Sequence, residues 1–146
     1  MDRQDYEFTY SDEYKLYSFV SEGRKGSIIK LVQFQLLKAD RYNLAFGDWS
    51  PTMGGIDDMT VTDNGDMEMV LSTVVQIAKT FLSSNPGKSI QFSGSTAGRT
   101  RLYQIILNMN YEIISQQFEI LGLLHGKWHK FEKNVNYEVF LISKLL

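Results

Sequence analysis

The spacing of apolar residues changes partway along this chain, and that change constrains the fold more than any other feature. Up to about residue 62, apolar side chains alternate with polar ones, as in strands that bury one face. From Val70 to Leu82 they recur at helical spacing over a broad arc, which is typical of a helix lying against a sheet. The sequence therefore predicts strands first and a sheet-covering helix after them.

Two pairs of strands are predicted before the helix. Residues 15–21 and 27–37 are rich in aromatic and β-branched residues, and the glycines of residues 22–26 favour a tight reversal between them. Residues 41–49 and 56–62 form the second pair, joined by a loop that contains a proline and paired glycines. This part of the chain is predicted to be mostly antiparallel.

The first helix has clear signals at both ends. Asp66 is its predicted N-cap, and the Asn85–Gly87 turn ends it. A short strand follows near Ile90. We expect the strand–helix–strand unit of residues 60–93 to pair in parallel through a right-handed crossover.

A second helix is predicted from about residue 97 to 115. We expect four of its apolar residues to point inward: Leu102, Ile105, Ile106 and Met109. After it, residues 118–124 and 128–131 suggest a hairpin that turns at His125-Gly126, and residues 136–144 give a final strand.

The predicted fold class is α+β. The element order is ββββαβαββ, with an optional further strand, and it makes a mixed, mostly antiparallel sheet of about six or seven strands packed by two main helices. A chain of 146 residues suits a single domain spanning residues 1–146. Residues 1–13 are interpreted as either a loose N-terminal arm or a first edge strand.

Composition excludes several kinds of site and partner. The chain has no cysteine, which rules out disulfides, thiolate nucleophiles and cysteine metal sites. Its 15 basic and 17 acidic residues give a net charge of −2, and the basic ones are scattered, so we expect no nucleic-acid partner. Without a visible signal peptide or membrane-spanning run, we expect a cytoplasmic protein that makes no membrane contact.

The best candidate site is the loop that leads into the second helix. It combines hydroxyl residues and glycines with two arginines in the first turns, where positive charge opposes the helix dipole. An anionic group would relieve that conflict, because a helix start presents unpaired N–H groups. The predicted ligand-binding residues are Ser93, Ser95, Thr96, Arg99, Arg101 and Tyr103.

A purely structural interpretation of the same loop stays open. Ser95 or Thr96 would cap the helix, and the arginines would pair with carboxylates of the fold. The candidate charge partners are Asp48, Asp57 and Asp58, with Asp48 or Asp58 favoured to neutralise Arg99 or Arg101.

No metal is predicted. The acids at 48, 57, 58, 63 and 66 lack the spacing of a calcium loop, and turns and caps favour such residues anyway. His125 and His129 flank a turn and have no third ligand nearby.

Five motifs together resemble an uncharacterised family of small bacterial proteins, a domain of unknown function, over nearly the whole chain. They are Tyr42-Asn43-Leu44-Ala45-Phe46-Gly47-Asp48, Ile56-Asp57-Asp58, Asp63-Asn64-Gly65-Asp66, Ser93-Gly94-Ser95-Thr96 with Arg99-Thr100-Arg101-Leu102-Tyr103, and Phe131-Glu132-Lys133 through Asn136-Tyr137-Glu138. The resemblance implies a bacterial domain but no activity.

The element order also resembles the layout of GNAT acetyltransferases more remotely. That resemblance implies a CoA thioester as cosubstrate and Tyr103 as the general acid, with Thr96 where an Asn is usual. The stretch in the position of the family's pyrophosphate loop, residues 62–68, has one glycine and three carboxylates, which would repel phosphates.

The sequence thus favours a binding or regulatory module rather than an enzyme, with no cofactor. Its leading expectation is recognition of an anionic group at the Ser95–Arg101 helix start. One alternative is a GNAT-like acyltransferase that uses a CoA thioester. Another is the protein-interaction partner of a two-gene system, which would also permit a homodimer. It would work through an edge strand and through exposed aromatics, with Tyr42 and Trp49 near a loop as the candidates.

Overall fold

The computed structural model describes residues 5–11, 15–57, 62–94 and 96–145, which form nine strands and two helices. The helices are α1 (Met67–Ser84) and α2 (Ala97–Ile114). The strands are β1 (Thr9–Ser11), β2 (Leu16–Gly23), β3 (Gly26–Lys38), β4 (Arg41–Ser50), β5 (Gly55–Asp57), β6 (Ser89–Phe92), β7 (Phe118–Leu124), β8 (Lys127–Lys130) and β9 (Val139–Lys144).

The chain forms two compact units, and the first comprises the described residues up to Gln35 and those from Leu44 to Thr80. Its hydrogen-bonded strand order is β1-β2-β3-β4, with β5 also paired to β4. The predicted β2–β3 hairpin is observed, with Gly23 opposite Gly26 across the turn. Its core consists of aromatic and aliphatic side chains on one face of these strands, covered by α1.

The second unit comprises residues 36–43 and those from 81 onward. Its strand order is β4-β6-β9-β7-β8, in which only the β4–β6 pair is parallel. Strand β9 lies between two neighbours, and Phe140, Leu141 and Ile142 are all buried, as its apolar faces predicted. At the predicted β7–β8 turn, His125 and Gly126 both have positive φ, as a tight two-residue hairpin turn requires.

The parallel pair differs from the prediction. We expected the strand just before α1 to pair in parallel with the strand after it. Instead, Arg41 of β4 lies opposite Ser89 of β6, while β5 pairs antiparallel with the other end of β4. Strand β4 has ten residues and is long enough to pair with both strands, and β5 is described only up to Asp57.

Helix α1 begins and ends where the sequence predicts. Asp66 occupies the N-cap position, and its carbonyl oxygen accepts the Val70 N–H. Its carboxylate serves another purpose, since Oδ2 accepts hydrogen bonds from the hydroxyls of Tyr6 and Ser21. Burial and the Asp66 hydrogen bond raise the pKa of Tyr6. The residue that starts the helix therefore also holds the N-terminal segment against β2.

The N-terminal segment is anchored over its described part. The Tyr6 N–H donates to Thr73 Oγ1 at 2.7 Å, and its ring stacks on Phe19. Beyond it, Thr9–Ser11 pairs with β2. Of the two interpretations of this region, the edge strand is the one observed; residues 1–4 and 12–13 lie outside the described residues.

The α+β class, the mostly antiparallel sheet and the two packing helices are confirmed, with nine strands instead of six or seven. Among the described residues, neither helix combines the length and apolar character needed to cross a membrane. The single folding domain of residues 1–146 and the GNAT-like layout stay predictions.

Candidate functional site

The loop between β6 and α2 is closed by a helix cap, as the structural interpretation of this loop proposed. Thr96 has extended backbone angles, φ −135° and ψ 162°, and its hydroxyl accepts the Arg99 N–H at 3.2 Å. The Thr96 carbonyl accepts the Thr100 N–H at 3.0 Å, which begins the helical hydrogen bonding. Thr96 is therefore the cap, and Ser95 lies outside the described residues.

Thr100 fixes the shape of this loop, a role that the sequence analysis missed. Its hydroxyl accepts the Gly94 N–H at 3.0 Å and donates to the Thr96 carbonyl at 3.1 Å. Gly94 packs so closely on the helix that a Cβ there would lie 2.5 Å from Arg99 Cβ. A threonine one turn after a predicted Thr cap was the available sequence signal.

The two arginines occupy different environments. Arg99 is half-buried and makes contacts within the fold, whereas Arg101 is exposed. Ala97 and Gly98, which precede them, are both exposed, and neither carries a bulky side chain of its own. The first turn of α2 contains no acidic residue.

Ser93 and Tyr103 differ in their exposure to solvent. Ser93 is exposed, while Tyr103 is only 4% exposed and packs edge-on against Phe92 with ring centroids 5.1 Å apart. Burial raises the pKa of Tyr103, and the nearby Arg99 charge opposes that rise without cancelling it. Tyr103 therefore stays neutral over the physiological range as a core residue of α2. Its predicted contact with a ligand stays a prediction.

Asp48 has a different charge partner from the arginines proposed. Its Oδ1 lies 2.6 Å from Lys30 Nζ, and its Oδ2 accepts the Thr62 N–H at 3.1 Å. Lys30 is fully buried and also donates to the Thr62 carbonyl. In the sequence Lys30 is the one charged residue on an otherwise apolar strand face, so the signal for a buried pair was present.

The other acids give no ligand cluster. Asp57 lies opposite Asp48 in the β4–β5 register and has contacts of its own, and Asp58 is outside the described residues. Over the described part of the chain, no group of three or more His, Asp or Glu side chains is arranged to hold a metal ion.

The outward face of α2 is more apolar than predicted. Ile105 and Met109 were expected to point inward, but they are 48% and 61% exposed, and Ile113 is 63% exposed. The prediction was wrong because two polar residues, Thr100 and Gln104, take places on the buried face. Gln104 is held by Asn108, with Nε2 to Oδ1 at 3.0 Å. The buried face consists of Thr100, Tyr103, Gln104, Ile106, Leu107 and Ile114.

The aromatics proposed for an interface also separate. Tyr42 is buried and packs edge-on against Phe81, whereas Trp49 is exposed. The exposed residues that line up on one element are instead those of α2.

Comparison with known proteins identifies a family that this chain matches. Residues 2–145 match the model of a family of unknown function, DUF6934, in agreement with the sequence resemblance to an uncharacterised family. No curated protein and no solved structure shows a significant match.

Proposed function

The chain belongs to DUF6934, a family of unknown function, and on that premise we propose that it is a binding module that recognises an anionic group at the start of α2. The observation that carries the proposal is the exposed Arg101 in the second turn of a helix whose first residues, Ala97 and Gly98, are exposed and whose first turn has no acid. The ligand group would be a carboxylate or a phosphate.

Physical chemistry supports this assignment. A helix start carries a partial positive charge and unpaired N–H groups, so it favours negative ligands. Arg101 would supply a full charge with planar donors, and Arg99 a weaker contribution from its half-buried position. The hydroxyls of Ser93 and Thr96 would line the approach, and Ser95 is kept as an expected contributor. The proposal keeps the expectations of a bacterial, cytoplasmic protein without nucleic-acid or membrane partners.

The test is an NMR titration of the chain with inorganic phosphate and with acetate, following backbone amide signals. We expect the Ala97 and Gly98 amides to shift most, with a dissociation constant on the order of 1 mM for a single free anion. Arg101→Ala should weaken binding at least fivefold. Lys127→Ala, which removes an exposed cation from β8, is the matched control and should leave binding unchanged.

Shifts that spread over the surface, or that persist in Arg101→Ala, would contradict the site. Arg99→Ala separates the two arginines. If it lowers stability while the phosphate affinity is unchanged, then Arg99 is structural and Arg101 alone carries recognition.

A protein partner is the second candidate, because α2 also exposes apolar side chains in line with Arg101. The acyltransferase alternative has less support. A general acid must reach its substrate, and the side chain of Tyr103 is buried against Phe92.

A further inference from the structure

The exposed residues of α2 follow a line that winds slowly around the helix. Ala97, Arg101, Ile105, Met109 and Ile113 are each four residues apart, and all are exposed. Each step of four residues turns by about 40°, so the line covers about 120° of the helix surface between Arg101 and Ile113. Leu102 lies beside this line and is half-exposed. We name these residues together with Glu112 the outer face of α2.

The outer face carries opposite charges at its two ends. Measured along the axis, Arg101 lies six residues before the level of Leu107, which is itself buried on the opposite side of the helix, and Glu112 lies five residues after that level. At 1.5 Å per residue these distances are about 9 Å and about 7.5 Å along the axis. The two positions are about 20° apart around the axis, so both charges flank the apolar line on the same side.

Glu112 is available to a second cation. Its carboxylate already lies 3.1 Å from Lys133 Nζ, yet the Glu112 side chain is 81% exposed. Lys133 in turn lies over the Tyr111 ring, which holds it to one side of the helix. The carboxylate therefore keeps an open side toward solvent.

We propose that the outer face of α2 binds the same face of a second copy of this chain in antiparallel orientation, with Arg101 of each copy bound to Glu112 of the other. This inference rests on the proposed function, because it names the anionic group that Arg101 recognises. Charge complementarity selects the occupant: a face with a cation at one end and an anion at the other matches itself when the copies run in opposite directions.

The apolar residues fit the same arrangement. With the two-fold axis at the level of Leu107 along the helix, Ile105 of one copy lies against Met109 of the other, and this contact occurs twice. A shallow crossing near 20° keeps such faces in contact along their length.

The expected dimer is weak. A single helix face lies at the small end of specific interfaces, below about 1,200 Å², so we expect a dissociation constant on the order of 100 μM. Dimerisation at this strength would respond to protein concentration and to competing anions.

Sedimentation equilibrium of the full chain over a wide concentration range tests the proposal. We expect a monomer–dimer equilibrium that Met109→Ser weakens about tenfold, because Met109 is buried twice in the dimer. Met53→Ser is the matched control, since Met53 is the same residue type at 62% exposure on a different surface. A chain that stays monomeric up to about 1 mM, or equal effects of the two substitutions, would overturn the proposal.

A charge exchange tests the orientation. Arg101→Glu and Glu112→Arg should each weaken the dimer several-fold, because each places like charges together, and the double variant should restore it. Lys133→Ala removes only the intrachain partner of Glu112 and should not weaken association. Failure of the double variant to recover would exclude the antiparallel pairing.

The proposed dimer and the proposed anion binding can be tested separately. The phosphate titration is repeated on Met109→Ser, which keeps Arg101 and is monomeric at the concentrations used. A monomeric wild type that still binds phosphate through Arg101 overturns the dimer and leaves the proposed function. In the opposite case, the charge exchange restores the dimer but the Met109→Ser variant binds neither phosphate nor acetate. That result supports the dimer and overturns recognition of free anions.

Discussion

Helices α1 and α2 have the same length, 18 residues, but they use their apolar residues in opposite ways. The apolar side chains of α1 from Val70 to Leu82 are all buried. In α2, apolar residues divide between a buried face and the exposed line of Ile105, Met109 and Ile113. The fold therefore covers the apolar side chains of α1, whereas it leaves several of those on α2 exposed. This difference favours α2 as the binding element.

Two sets of charged residues differ in the same way. Lys30 and Asp48 are buried, and their polar atoms are bound to each other and to Thr62. Arg101 and Glu112 lie on the surface of α2. Buried charge that is internally paired contributes to one defined structure, while exposed charge beside apolar area is suited to recognition.

The largest expected effect comes from breaking the buried pair. Lys30→Ala leaves Asp48 buried without its cation, and we expect a loss of about 3–5 kcal/mol in the free energy of unfolding. Urea unfolding followed by circular dichroism measures this change. The double variant Lys30→Met/Asp48→Leu should lose less, because it buries no unpaired charge. A double variant as unstable as Lys30→Ala would show that shape, and not charge, is decisive there.

The helices can be compared directly with one type of substitution. Ile77→Ala in α1 removes a fully buried side chain and should cost about 2–5 kcal/mol. Ile113→Ala in α2, at a position that is mostly exposed, should change stability by less than about 0.5 kcal/mol. The unfolding free energies of the two variants are measured below the concentration of dimerisation. Similar losses would contradict the distinction between the helices.

The cap of α2 should have an intermediate effect. Thr96→Ala removes the acceptor for the Arg99 N–H, and we expect a loss of about 1 kcal/mol. Thr96→Asn, which keeps an acceptor, is the control and should recover most of the stability. If Thr96→Ala and Thr96→Asn lose the same amount, the capping hydrogen bond contributes little.

Raising the pH above 10 should lower the free energy of unfolding through the two tyrosines whose pKa is raised. The pKa of Tyr103 is raised by burial and that of Tyr6 by burial and Asp66, each from an ordinary value of 10.0. Above pH 10 the unfolded chain releases protons that the folded chain retains, so stability falls as pH rises. Urea unfolding at several pH values around 10 should show this fall. Tyr103→Phe should reduce the slope, and an unchanged slope would place the effect elsewhere.

Local signals were sufficient to predict the helices. The predicted second helix, from about residue 97 to 115, is observed at Ala97–Ile114, because cap and turn residues act over a few neighbours. The same holds for the β7–β8 turn at His125-Gly126. These features depend on backbone conformations that particular side chains favour or permit.

The pairing of distant strands and the buried face of α2 could not be predicted from these local signals. The choice of β4 as the parallel partner of β6 depends on which distant strand reaches that edge. Which face of α2 is buried depends in part on Gln104. This polar residue is buried because Asn108 and the Tyr137 backbone are placed to bind it. For the candidate site, the Thr96 cap and the two arginines were predicted, but only the structure separates the half-buried Arg99 from the exposed Arg101.

The pairing pattern of the second unit also has a consequence for the order of folding events. Strands β7 and β8 join across a two-residue turn, and β9 pairs with β7 only a short distance along the chain. The β4–β6 pair instead joins Arg41 to Ser89, so it requires closure of a long loop that includes α1. Because contacts close in sequence cost less loop entropy, we expect the three strands β7, β8 and β9 to pair early and the parallel pair to be completed late.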